Sequence, residues 1–380
     1  MSIATTRVIV GLSGGVDSAV AALLLLQQGY KVEGLFMSNW EEDDAYCTTA
    51  VDYQDARASA RELGIVLHRV DFTDQYRAQV FGYLLAEYRA GRTPNPDVLC
   101  NREIKFGICR AYAARLGATL FATGHYARCT DTADGTALYK AHDQSKDQSY
   151  FLHAVLRRAF ENVLFPIGEF CKDEVRDRAR RAGIPVCDKP DSTGICFIGE
   201  RPFAEFLGRY LPAEPGPIET PDGRRLGMHR GLPFYTLGQR AGVGVGGARG
   251  CAAEPWYVAD KNLARNTLVV VQRHEQWRLE ATAVRTGAVN WLSAVPAARF
   301  RAGVKLRYRQ SDQEAVVWIE PDGGLRIEFD QPQRAATPGQ FAVLYDGERC
   351  LGGAVIESAH ERASQTAKTS VPATHAARYN

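Results

Sequence analysis

Gly11-Leu12-Ser13-Gly14-Gly15-Val16-Asp17-Ser18 is the stretch that decides the fold. It follows an apolar run, Arg7 to Leu12, that reads as a strand. It opens a helical pattern, Ser18 to Gln28, that Gly29 closes. Successive small residues between a strand and a helix let backbone N–H groups converge into an anion nest. The helix N-terminus adds its dipole. Ser13 and Ser18 supply hydroxyls for phosphate oxygens. Asp17 either caps the helix or holds a magnesium ion bridging phosphates. No lysine follows the glycines, so this is not the Gly-x-x-x-x-Gly-Lys loop. A tight turn without a ligand is the plain alternative, and the complete Ser-Gly-Gly-x-Asp-Ser string in this setting counts against it.

Working outward, strand patterns at Val32–Met37, Val66–Phe72 and Thr119–Thr123 alternate with helical ones. The helices are read at Thr49–Leu63, Gln75–Tyr88 and Asn101–Leu116. Glycines stop most of them. This alternation predicts an α/β fold, with a parallel sheet covered on both faces. Asp131 to Gly135 reads as a hairpin turn, and helices are expected over Ser149–Asn162 and Lys172–Ala182. After Gly199 the strands are short and bounded by turns, as at Trp256–Ala259 and Thr267–Val271. From Leu279 to Glu357 strand-like alternation predicts a β-barrel. The expected division is 1–200 for the catalytic unit, 201–275 for a small central unit and 276–358 for the barrel. A disordered tail is expected over 359–380.

The chain has 380 residues, 46 basic and 44 acidic, and 24% charged residues overall. That is the profile of a globular protein, and it excludes a fibrous or wholly disordered one. No apolar run approaches the ~20 residues that cross a bilayer, so a cytoplasmic protein without a membrane partner is expected. The nine cysteines have no short metal-binding or redox spacing. Two have context. Cys100 follows Pro94-Asn95-Pro96-Asp97, and Asn101 reads as the cap of the next helix. That puts Cys100 at a helix N-terminus, where the dipole favours a thiolate. Cys196 lies between Gly194 and Gly199. A packed core cysteine is the alternative at both. Cys47, Cys109, Cys129, Cys171, Cys187, Cys251 and Cys350 read as structural, and the acidic run Glu41-Glu42-Asp43-Asp44 as a solvated loop.

Ser13-Gly14-Gly15-Val16-Asp17-Ser18 resembles the PP-loop of the N-type ATP pyrophosphatases. Further blocks resemble one family within that group, the bacterial tRNA-specific 2-thiouridylases. They are Gly34 to Trp40, Asn95-Pro96-Asp97-x-x-Cys100-Asn101, Ala122 to Tyr126, Lys146 to Phe151 and Asp191 to Phe197. The likeness runs from Arg7 to Glu357. It implies that Gly11, Leu12, Ser13, Gly14, Gly15, Val16, Asp17 and Ser18 bind ATP, with Met37 and Gly124 beside the adenosine. It implies that Asn95, Pro96 and Asp97 contact the target base. Cys100 is then the nucleophile and Cys196 the persulfide carrier. His125, Lys146, Asp147, Gln148, Arg307, Tyr308 and Gln340 are implied to touch tRNA. The implied substrates are the tRNAs for lysine, glutamate and glutamine, modified at uridine 34. The implied sulfur donor is a relay protein or a cysteine desulfurase.

The chemistry explains the parts. The C2 oxygen of uridine leaves poorly, and adenylation makes it leave well. Sulfur then arrives as a persulfide, with a Cys100–Cys196 disulfide on one of two routes. Asp97 reads either as a general acid or base or as a turn residue. Cys100, Cys196 and Asp97 would also suit an iron–sulfur cluster. Arg299, Arg301, Lys305, Arg307 and Arg309 occupy alternate positions. A single strand would set them on one face as a phosphate rail, or as an ordinary solvated face. A different ATP pyrophosphatase that amidates or ligates a small molecule needs neither two cysteines nor such a rail. A tRNA-binding protein without catalysis predicts a damaged phosphate loop or lost cysteines, and both are intact.

Overall fold

A computed structural model describes residues 3–40, 48–191, 203–245 and 254–360. The first sheet is parallel, built from β1 (Arg7–Gly11), β2 (Lys31–Ser38), β3 (Leu67–Asp71) and β4 (Leu120–Thr123). The hairpin β5 (Ala127–Thr132) and β6 (Gly135–Lys140) interrupts it before β7 (Val163–Leu164) completes the order β3-β2-β1-β4-β7. The chain winds one way through β1, β2 and β3, then returns to the other side of β1 with β4. The reversal opens a crevice at the carboxyl ends of β1 and β4, the usual ligand position in such sheets. The helix Val16–Gln27 lies between the sheet and its neighbours and buries eight of its residues, Leu24 and Leu25 among them. Lacking a polar face, it makes core contacts on nearly every side.

Two further sheets follow. The central one has the order β10-β11-β8-β9, made by β8 (Gly216–Glu219), β9 (Arg225–His229), β10 (Tyr257–Asn262) and β11 (Thr267–Val271). The last comprises β12 (Glu280–Thr286), β13 (Asn290–Trp291), β14 (Arg299–Lys305), β15 (Gln313–Ile319), β16 (Leu325–Arg334), β17 (Phe341–Asp346) and β18 (Arg349–His360). Pairing runs β12-β16-β15-β14-β17-β18, and β18 pairs back onto β12, so six strands close a barrel. Its core is Val284, Val304, Val317, Ile327, Leu344 and their neighbours. The α/β fold with a C-terminal barrel is as the sequence predicts.

Several local expectations are corrected. The helix over Ser149–Asn162 is short: it spans Ser149–Leu152, and a 3-10 turn covers Arg157–Phe160. Asn290 of the barrel explains the break, because its amide donates to the carbonyls of His153 (2.7 Å) and Val155 (2.8 Å). The helix read from Asn101 begins at Pro96. Asn95 is its cap, its Oδ1 accepting from the Asp97 amide, and Pro96 holds the first helical position. Ala359 and His360 are not tail: they pair with Val284 and Ala283 of β12. The hairpin β5–β6 is annexed by the barrel through the β6–β18 pairing. The acidic run 41–44, Cys47, Cys196, Cys251 and residues 361–380 lie outside the described residues.

Candidate nucleotide site and cysteine helix

The phosphate loop leaves β1 at Gly11 and enters the helix at Val16, with Gly15 as its cap and no side chain bonded to the helix end. The first-turn N–H groups of such a helix have no intrahelical acceptor. The loop is braced from within: the Ser13 amide donates to Ser18 Oγ (3.2 Å), and Ser18 Oγ donates to the Gly15 carbonyl (2.9 Å). Gly14 has φ +79°, and a Cβ there would sit 2.3 Å from the Asp52 carbonyl oxygen. Both facts require glycine. Gly124, just past β4, lies on the loop's underside; a Cβ on it would stand 2.5 Å from the Ser18 nitrogen.

Lysines far along the chain fasten this loop, and local sequence reading missed them. Lys189 donates to the Gly14 carbonyl (3.1 Å), Asp52 (2.7 Å) and Asp55 (2.6 Å). Burial opposes its charge, yet the two carboxylates raise its pKa. Lys172 Nζ lies 2.8 Å from both Asp17 oxygens and 2.7 Å from Asp191. The Tyr126 hydroxyl also donates to Asp17 (3.0 Å). Asp17 therefore does not cap the helix; its carboxylate faces an ammonium and a phenol. Asp191 further receives Lys146 (2.7 Å) and Arg176 (2.9 Å). Burial pushes Asp191 up, but the lysine hydrogen bonds outweigh it and hold its carboxyl at about 2. The Lys189 pairs and Lys172–Asp17 span more than 130 residues, a separation that leaves no spacing signal.

Asn39 lies one residue past β2, inside the Gly34-to-Trp40 block. It is fully buried, and among the described residues neither its Oδ1 nor its Nδ2 has a hydrogen-bond partner. A buried amide without partners costs about 1–3 kcal/mol per group. At the carboxyl edge of the sheet, one strand from the phosphate loop, it offers a donor and an acceptor to a ligand. The uncapped helix end, the glycine cradle at Gly14 and this amide fit an adenine nucleotide. Met37 is buried in the core near this edge.

The cysteine helix runs from Pro96 through Arg115. Its middle, Cys100–Cys109, has wide π-helical turns, which are rare and frequent at functional sites. Gly107 permits one such turn, since a Cβ there would meet the Arg102 carbonyl at 3.0 Å. Cys100 is the fifth helical residue, beyond the first turn where the dipole acts. It is completely buried, in one cluster with Leu99 and Ile104. The expected dipole activation at a helix start is thereby withdrawn. Asn101 instead donates to the carbonyls of Asp97 (3.0 Å) and Phe151 (3.4 Å). No disulfide joins two described cysteines.

The remaining candidates fall in two places. His125 is buried between Phe106 and Phe165, with Nδ1 2.7 Å from Thr123 Oγ1 and Nε2 3.5 Å from Lys105. Burial, with Lys105 beside it, holds its pKa well below 6.5, so the ring is neutral near pH 7. Gln148 accepts from the Tyr126 amide, and the buried Asp147 carboxylate accepts from the Ser149 amide (3.1 Å) and hydroxyl (2.9 Å). The Tyr308 ring packs tilted against Phe151 (centroids 4.4 Å apart), and its hydroxyl donates to the Lys146 carbonyl (3.4 Å). Arg307 donates to the Ala335 carbonyl, and Gln340 to those of Thr93 (2.7 Å) and Pro94 (3.3 Å).

The single-strand basic rail does not form. β14 ends at Lys305, and Arg307 and Arg309 lie on the following turn. Lys305 is buried over the Tyr345 ring, near Asp147 (3.7 Å) and Asp312 (3.8 Å). Arg301 is paired with Asp330 (2.6 Å). Among the described residues no helix is long and apolar enough to cross a membrane. No group of three His, Cys, Asp or Glu among them could hold a metal.

Comparison with known proteins gives three matching family models. They are a tRNA methyl transferase HUP domain over residues 6–200, a tRNA methyl transferase PRC-barrel domain over 204–272 and an aminomethyltransferase beta-barrel domain over 281–356. The tRNA-specific 2-thiouridylase MnmA of Pseudomonas putida (strain GB-1) is 54% identical over 359 residues, covering 94% of this chain and 96% of that protein. The enzyme of the same name from Marinobacter nauticus is 54% identical over 93% of this chain and 92% of its own. That of Sodalis glossinidius is 53% identical over 93% and 96%. A solved 4-thiouridine synthetase–RNA complex with bound ATP is 20% identical, with a TM-score of 0.33 over 55% of this chain and 50% of that one, an overlap too small to inform this fold.

Proposed function

Because the chain belongs to the tRNA-specific 2-thiouridylase family, we propose that it is an ATP-dependent tRNA uridine 2-sulfurtransferase acting on the wobble uridine, U34. The observation that carries this reading is 54% identity over 94% of the chain. The phosphate loop and the Asn95-to-Cys100 segment keep the residue types that the chemistry needs. The matching models are labelled by methyl transfer and the relatives by thiolation; a phosphate loop and a shielded thiol suit the second. Adenylation of the C2 oxygen creates a leaving group, and the phosphate loop would hold the nucleotide's phosphates on its amides. Lys172 would balance charge beside Asp17. A magnesium ion on Asp17 would require Lys172 to withdraw.

Cys196 carries the incoming sulfur as a persulfide. On one route Cys100 attacks the inner sulfur, the S–S bond breaks, and hydrosulfide leaves to attack C2 as AMP departs. The Cys100–Cys196 disulfide so formed is reset by a dithiol reductant. On the other, the terminal sulfur attacks C2 and Cys100 resolves the adduct. A cluster held by Cys100, Cys196 and Asp97 is the second reading of the same residues. The substrates are the tRNAs for lysine, glutamate and glutamine, and the donor is a sulfur-relay protein or cysteine desulfurase in the cytoplasm. The functional division falls at 1–200, 201–275 and 276–358. Asn95, Pro96, Asp97, His125, Lys146, Gln148, Arg307 and Tyr308 lie along the RNA path.

The test is thiolation of unmodified glutamate tRNA by the purified protein with ATP, magnesium and a persulfide-generating desulfurase, read on a mercury-containing gel. A shifted band that requires ATP supports the reading. An unshifted tRNA with pyrophosphate still released in its presence keeps the adenylation half and points to a missing sulfur donor or a cluster-dependent route.

A further inference from the structure

We propose that Gln340 and Lys261 are positioning residues that set the geometry of the cysteine helix from the two accessory units, an inference that rests on the thiolation reading above. The segment Gly91–Pro94 leads directly into Asn95-Pro96 and the helix bearing Cys100. Residues of the other two units bond the Gly91 carbonyl, the Thr93 amide and the Thr93 and Pro94 carbonyls. From the central sheet, Lys261 Nζ donates to the Gly91 carbonyl (3.1 Å), and Thr236 Oγ1 lies 3.4 Å from Thr93 Oγ1. From the barrel, the Pro338 carbonyl accepts from the Thr93 amide (3.1 Å), and Gln340 Nε2 donates to the Thr93 and Pro94 carbonyls.

Glycines permit the close approach. Gly339 has φ +90°, and a Cβ there would stand 3.0 Å from Arg92 Cβ and from the Thr93 nitrogen. Gly91 has φ +73°, and a Cβ on it would meet the Leu263 side chain at 2.7 Å. The α/β unit adds its own hold: the Arg92 amide donates to the Glu87 carbonyl (2.9 Å), and the two side chains pair at 2.6 Å. So the segment is held from three directions within four residues. Pro94 and Pro96 fix φ on either side of Asn95, leaving few soft torsions between the grip and the helix start. A displacement at Thr93 is therefore passed to Cys100 rather than absorbed. Lys261 is half-buried, and among the described residues its ammonium donates to one carbonyl. That is a costly arrangement for a residue with no local role.

The resemblance gives Gln340 a contact with tRNA, yet its amide nitrogen is engaged with the catalytic unit. The two roles separate experimentally. Gln340→Leu and Lys261→Met are compared with the unaltered enzyme in three assays. These are tRNA binding, single-turnover thiolation, and the alkylation rate of Cys100 by iodoacetamide followed by peptide mass spectrometry. Cys100 alkylation needs no thiolation activity, so failure of this inference is distinct from failure of the thiolation reading. Loosening the segment is expected to raise Cys100 alkylation several-fold and to slow thiolation about 10-fold. Affinity for tRNA should stay within about twofold. Lys261→Arg, which keeps a donor for Gly91, should return alkylation toward the original rate. Weaker tRNA binding with unchanged Cys100 alkylation would overturn the proposal and make Gln340 an RNA contact. Unchanged behaviour in all three assays would overturn it too.

Discussion

Replacing Gly124 by alanine tests how the phosphate loop is seated. The residue needs no left-handed backbone, so the substitution adds one methyl group and no backbone strain. That methyl would lie 2.5 Å from the Ser18 nitrogen, 2.6 Å from the Asp17 carbonyl carbon and 2.8 Å from Ser18 Cα, all backbone atoms of the loop. Ordinary contact begins near 3.4 Å, so loop and strand end must separate by about 0.9 Å. Overpacking of this kind costs about 1–3 kcal/mol. A shift approaching 1 Å at a positioning element costs about 100-fold in rate. Gly124→Ala should therefore lower tRNA-dependent pyrophosphate release about 100-fold, with a modest fall in the urea midpoint. Gly227→Ala serves as the control, since nothing lies within 4 Å of its added methyl. Pyrophosphate release by Gly124→Ala at the original rate, with unchanged KM for ATP, would refute the reasoning.

Two further outcomes follow from the charges. Lys172→Met leaves Asp17 and Asp191 without their shared ammonium and should destabilise the protein by about 2 kcal/mol, the carboxylates' partial exposure limiting the loss. In a double-mutant cycle with Asp191→Asn by urea unfolding, the two effects should be non-additive, and strict additivity would contradict the contact. Glu33 is held at about 2 chiefly by its hydrogen bond from Arg7, with His68 adding to it. Its folded value lies below its unfolded 4.5. Its contribution is therefore full above pH 4.5 and lost as pH falls toward 2, on the order of 3 kcal/mol at most. Unfolding measured at pH 3 and pH 7 should show a shallower acid loss for Glu33→Gln, and an identical loss would remove Glu33 from the account.

The phosphate loop was readable because all its information is local: a strand, small residues and a helix in eight positions. The closing barrel was readable from alternation. What surrounds the loop was not, since Lys172 and Lys189 reach Asp17 and Gly14 only through the winding of the sheet. The start of the cysteine helix was misread because two asparagines compete for the cap. Asn95 wins because Pro96 already holds helical φ behind it. The basic rail failed at Lys305, where period two continues but the strand ends and the barrel covers the ammonium. Tertiary contacts also ended the helix after Leu152, where carbonyls that would continue it are bonded to Asn290. The grip on Gly91–Pro94 joins residues more than 140 positions apart and has no sequence signature.

The central claim is sulfur transfer to an ATP-activated base through two cysteines. The most direct measurement is mercury-gel thiolation of glutamate tRNA by Cys100→Ser and Cys196→Ala, with pyrophosphate followed in the same reactions. The account predicts no shifted tRNA from either variant, while ATP- and tRNA-dependent pyrophosphate release persists in both. Thiolation by either variant at the unaltered rate would contradict it.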